Sequence, residues 1–239
     1  MDGLAQAIRQ QLGLGRLLAL GGPADGAWIA ESAARAVLAR AAAALRGVRL
    51  DAVRLALADP DAAAEPVVPG PPSALPPGPL RMTAECAASA DEPLPAVAQR
   101  LRSGLAIAAH GLGLVVESVD LRITELVEPE ELTAATPAPG RRVRTARTDP
   151  GRDPAARAAL AVPGVTRLTG TQAGTGRAVL VEERRSPGAL AARHLRIDLA
   201  TAAHHNALEV ALAVRRAASA ALPDRPTVAV LVTEVDGLA

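Results

Sequence analysis

The chain has 239 residues, a formal net charge of +1 and a hydrophobic fraction of 49%, a length for one or two domains with enough apolar material for a core. It has one cysteine, one tryptophan, no phenylalanine, no tyrosine and no lysine. That excludes an internal disulfide, Schiff-base or P-loop lysine chemistry, and any global field drawing the chain to nucleic acid or membrane.

From the N-terminus, Leu4, Ile8 and Leu12 form a narrow apolar stripe on a helical segment expected over residues 1–26. That segment lacks a basic region and carries charges through its apolar part, so it does not read as a signal peptide. No uninterrupted apolar run reaches the ~18 residues that span a bilayer. The expected location is the cytoplasm, with membrane contact peripheral at most. "AWIAESAARAVLARAAAALRG" reads as a helix ending at Gly47. "VRLDAVRLALAD" follows as a strand. Residues 65–79, "EPVVPGPPSALPPGP", have prolines that forbid helix and inner strand, and predict a stiff extended insertion. "LRMTAECAAS" alternates, with Leu80, Met82, Ala84 and Cys86 on one face and Arg81, Thr83 and Glu85 on the other. "PLPAVAQRLRSGLAIAAHG" is a helix. "LVVESVDLRITELV" is a strand with Val119, Leu121 and Ile123 on one side. Residues 128–152 are polar, broken by Pro and Gly, and carry Arg141, Arg142, Arg144 and Arg147, the mark of a linker.

The second half repeats the order. A short helix, "PAARAAL", runs into Pro163-Gly164-Val165. "GRAVLVEERR" and "RHLRIDLAT" are strands, the second with Leu195, Ile197 and Leu199 inward. "NALEVALAVRRAASAAL" is a helix and "PTVAVLVTEVDG" the last strand. Arg46-Gly47-Val48 matches Pro163-Gly164-Val165, Leu80-Arg81-Met82 matches Leu195-Arg196-Ile197, and Ile123-Thr124-Glu125-Leu126 matches Val232-Thr233-Glu234-Val235. A repeat near half the chain length predicts an α+β protein of two tandem small modules, each a short sheet covered by helices. They span 27–127, with the proline insertion, and 153–239.

"ALAVPGVTRL", "LRIDLAT", "ALEVALAVRRAASAAL" and "VAVLVTEVDG" together resemble the alkaline shock protein family of bacterial envelope stress response proteins. Residues 27–127 look like a more divergent copy. Members of that family carry one such module, whereas this chain reads as two. The resemblance implies a non-enzymatic cytoplasmic scaffold, self-associating or bound to protein partners, and assembled near the inner face of the membrane through a membrane-anchored one. It brings no catalytic residues and no cofactor.

Other motifs carry chemistry only weakly. His205 and Glu209 at i and i+4, with His204 beside them, have the spacing of a metal pair. Asn206 and Glu209 also fit a capping box that leaves both histidines outside the helix, and this is the reading preferred. His110 and His194 are isolated in sequence, and no HExxH order is present, so no metal site is expected. "GLGRLLALGG" and "GTQAGTGRAV" lack the GxGxxG spacing of phosphate loops. Cys86 reads as a small core residue and Trp28 as a packing anchor. Ser186 has no nearby His/Asp arrangement, so no catalytic residue is assigned. PxxP spacing at Pro66–Pro69 and Pro76–Pro79 fits either a stiff connection or a ligand for an aromatic groove. The surface expected to make contacts is the Arg141, Arg142, Arg144 and Arg147 cluster. It also supports the alternative of a nucleic-acid-binding regulator, disfavoured because Phe and Tyr stacking platforms are absent.

Overall fold

A computed structural model describes residues 15–129, 153–170, 177–184 and 192–237. The order is β1 (Leu17–Leu20), β2 (Ala27–Ala30), α1 (Glu31–Ala43), β3 (Val48–Leu57), β4 (Leu80–Ser89), α2 (Leu94–Leu112), β5 (Val116–Val127), α3 (Pro154–Leu160), β6 (Val165–Leu168), β7 (Val179–Arg184), β8 (Ala192–Ala202), α4 (Ala207–Ala220) and β9 (Thr227–Asp236). The fold is α+β. Helices pack against two sheets, one of six strands and one of three.

In the smaller sheet β3 is antiparallel to β4, and β4 is parallel to β5 through α2. In the larger sheet β6 and β7 are antiparallel to β8, and β8 is parallel to β9 through α4. The same succession of pairings therefore occurs twice. The two glycine turns match in detail. Gly47 and Gly164 have φ of 72° and 91°, a left-handed backbone that glycine adopts without a Cβ clash. Their carbonyls accept from Ser89 N and Ala202 N, each at 2.9 Å. The parallel pairs slip register at equivalent points, between Cys86 and Ala87 and between Leu199 and Ala200. Thr124 and Thr233 sit in the slips and donate to Cys86 O at 3.3 Å and Leu199 O at 3.1 Å.

Counting from that slip, Ile123–Leu126 lie on Val232–Val235, in agreement with the sequence match. A second match is corrected: Leu195, Ile197 and Leu199 lie on Met82, Ala84 and Cys86, two residues further along than Leu80-Arg81-Met82 implies.

Two expectations about elements change. Residues 27–30, expected as the first turn of a helix, form β2, which pairs parallel with β9 of the other half; the helix starts at Glu31. Leu17–Leu20, expected within a helical segment, form β1, antiparallel to β2. Leu4, Ile8 and Leu12 lie outside the described residues. Val165–Leu168, following the Pro163-Gly164 turn, form strand β6. The larger sheet thus takes β1 and β2 from the first half, in the order β1-β2-β9-β8-β6 with β7 also on β8. One hydrophobic cluster runs through both sheets, from Leu17 and Trp28 through Leu55, Met82 and Leu101 to Leu199, Val214 and Val230.

The proline segment is strapped to its own chain. Val67 N donates to Pro23 O at 2.9 Å and Leu75 N to Leu17 O at 2.8 Å. Gly70 lies so close to the Trp28 ring that a Cβ there would meet Cζ2 at 3.1 Å.

Candidate functional site

The two sheets treat the face turned away from their inward apolar rows differently. In the smaller sheet, Met82, Ala84 and Cys86 point into the core, and α1 and α2 pack over it. The other face lies open, carrying Arg54, Thr83, Arg81, Glu85, Asp120 and Arg122. Register sets their neighbours: Arg54, Thr83 and Asp120 share one row, and Ala52, Glu85 and Arg122 another. Ion pairs across the face are long and wet. Arg81 reaches Asp120 at 4.0 Å and Arg122 reaches Glu85 at 3.8 Å, the Arg122 side chain being 77% exposed. Pairs of this kind add little stability and leave their charges available to another surface.

In the larger sheet the equivalent face is buried. Arg196 is 8% exposed at its side chain and Asp198 fully buried, with 4.0 Å between Arg196 Nε and Asp198 Oδ1. Arg196 also lies 3.9 Å from Glu182. Thr233 donates to Leu199 O, so its oxygen is free to accept from the Thr169 hydroxyl at 2.8 Å. His194 Nδ1 meets Thr227 Oγ1 at 2.9 Å. The threonine and histidine hydrogen bonds answer the need of buried polar groups for partners.

One constellation occurs on both sheets. Arg49 on β3 passes over Ala87 on β4 to Glu125 on β5, at 3.1 Å. Arg167 on β6 passes over Ala200 on β8 to Glu234 on β9. The alanine matters, because a longer side chain on the central strand would block the crossing. Each arginine has a second acid: Asp51 at 2.8 Å for Arg49 and Asp236 at 2.5 Å for Arg167. Asp51, with Glu125 behind it, raises the Arg49 guanidinium above its ordinary value. Burial pushes the Cys86 thiol up, assisted by the Asp51 charge. Cys86 is therefore a protonated core residue that donates to Arg122 O at 3.8 Å. The arginine–glutamate rows were not singled out from sequence. Their signal lay in the repeat itself, since Glu125 and Glu234 sit in matched tetrapeptides.

The other residues weighed from sequence fall apart in space. Arg141, Arg142, Arg144 and Arg147 lie outside the described residues, as does Ser186. The His204 and His205 rings lie 4.5 Å apart, tilted by 48°, before α4. Asn206 caps that helix, its Oδ1 accepting from Glu209 N at 3.2 Å. Its Nδ2 donates to His110 O at 3.3 Å, joining α4 to the end of α2. Among the described residues no group of three His, Cys, Asp or Glu side chains could hold a metal ion, and no helix is long and apolar enough to cross a membrane.

No protein-family model matches the chain, and no curated protein matches it. What distinguishes the molecule is an open, charged sheet face beside an outer edge of β5 that pairs with no other strand among the described residues. Open faces of this kind suit another macromolecular surface, whereas small molecules are held in concave sites.

Proposed function

We propose that the chain is a non-enzymatic assembly protein of the cytoplasm. It works at the inner face of the membrane through an anchored protein partner and is linked to the cell-envelope stress response. The observation that carries the assembly role is the open face of β3-β4-β5, with Arg54, Arg81, Asp120 and Arg122 in solvent, while the matching face of the larger sheet is buried. The link to envelope stress rests on the likeness of "ALAVPGVTRL", "LRIDLAT" and "VAVLVTEVDG" to the alkaline shock proteins.

Crosslinking in the source cell, followed by sizing of the recovered chain, tests this reading. Recovery in complexes heavier than a single chain is expected. Replacing Arg54 and Arg81 by Glu reverses charge on the open face and should deplete those complexes severalfold. Recovery only as single chains at every crosslinker dose overturns the assembly role.

A further inference from the structure

We propose that two copies of this chain join edge to edge through β5, antiparallel about a two-fold axis at Leu121, so that their three-stranded sheets run on as one. This rests on the assembly reading and names the partner as a second copy.

Among the described residues the sheet order gives β5 a single neighbour, β4. β5 is 12 residues long with no proline or glycine, and such an edge presents a row of backbone donors and acceptors that templates another strand. The opposite edge is closed. On β3 the Arg16 guanidinium donates to Leu55 O and Arg35 Nε donates to Val53 O at 2.8 Å. Among the described residues β5 has on its outer side only Arg102 Nε donating to Val119 O at 3.3 Å, from an exposed side chain that can swing away.

The internal repeat supplies a precedent. On β9, residues Val230–Val232 are covered by β2. By the register slip their counterparts are Leu121–Ile123, which have no such cover among the described residues.

Self-complementarity selects the occupant. With Leu121 opposite its own copy, Asp120 faces Arg122 of the second copy, and the two-fold axis repeats the pair. Glu85, Arg122 and then Asp120 of the second copy continue one alternating row across the seam. On the core side, Val119 faces Ile123 of the second copy. Val119, Leu121 and Ile123 are only partly buried against the core, and the second copy completes their cover. Val116 meets Leu126, which is 57% exposed. Glu117 meets Glu125, whose charge Arg49 already holds at 3.1 Å. The interface is isologous, so the assembly closes as a dimer.

The test is sedimentation velocity of the full chain from low to high micromolar. The wild type is expected to dimerise with rising concentration. Asp120→Arg sets like charges opposite each other twice, and so does Arg122→Asp; each alone should weaken association by about tenfold or more. Mixed one to one, the two variants restore both opposite-charge pairs and should dimerise about as well as the wild type. Both substitutions lie on the solvent face, and unchanged Trp28 emission confirms that each variant is folded. A wild type that stays monomeric overturns the proposal, as does a lone variant that dimerises normally or a mixture that fails to recover. A chain that assembles in cells but is monomeric when pure defeats the two-fold edge alone and leaves the assembly reading standing.

Discussion

Glu31 shows how one carboxylate joins elements that are distant in sequence. It opens α1, where the helix dipole favours an acid, and is buried. Arg16 donates to it from Nε at 3.3 Å and from Nη2 at 3.2 Å, and Arg35 lies 3.8 Å away. Both arginines also donate to carbonyls of β3, so the acid holds the clamp that closes that edge. Burial pushes the Glu31 carboxyl up, but Arg16 and Arg35 outweigh it and hold the group below its ordinary value of 4.5. A carboxylate depressed in the folded state stabilises the fold above its unfolded value, and that contribution is lost as pH falls through the folded one. Glu31→Gln should therefore cost about 1–2 kcal/mol at neutral pH, discounted because Arg16 is half in water. The gap to the wild type should narrow as pH falls below 4.5. Urea unfolding of both proteins across that range checks this, and a gap independent of pH would sink it.

At the scale of elements, the proline segment behaves as a strap rather than a tether. Prolines remove seven of its fifteen backbone donors, and the amides of Val67 and Leu75 are used on Pro23 O and Leu17 O. Val68 is buried under it, beside Gly26, while its neighbour Val67 is 75% exposed. The strap covers Trp28, which is 1% exposed. Because the chain has no tyrosine or phenylalanine, near-ultraviolet emission comes from Trp28 alone. Val68→Asp puts a charge under the strap and should lift it, shifting that emission to the red with a loss of roughly 2–4 kcal/mol. Val67→Asp should change neither. Identical spectra for the two variants would mean that the strap does not cover the tryptophan in solution.

For the whole molecule, the halves are tied by more than chain connectivity. β2 pairs with β9, and Arg40 Nη2 donates to Val235 O at 3.1 Å. Arg215 on α4 donates to Val228 O at 2.8 Å and to Ala24 O at 3.0 Å, and also reaches Asp25 O. Burial pushes this guanidinium below its ordinary value, against the pull of Asp25. A core shared across both sheets predicts one cooperative unfolding transition, with calorimetric and van't Hoff enthalpies equal. Two resolved heat-absorption peaks would contradict it and mark the halves as separate folding units.

By itself the sequence determined those features that rest on local chemistry. Strict alternation marked β4, Asn206 marked the start of α4, and the two Gly-Val turns showed that the chain repeats itself. Tertiary structure decided what local pattern leaves open. β2 has no apolar alternation because all four of its residues are buried, so alanine-rich helix and strand read alike until β9 is there to pair with it. An alternating strand looks the same when slid by two residues, so only the register slip at Cys86 and Leu199 could place Leu195 on Met82. The same alternation puts Arg81, Thr83 and Glu85 of β4 and Arg196 and Asp198 of β8 on outward-facing positions. Whether such a position meets water or protein depends on what packs over the sheet, which no strand carries in its own residues.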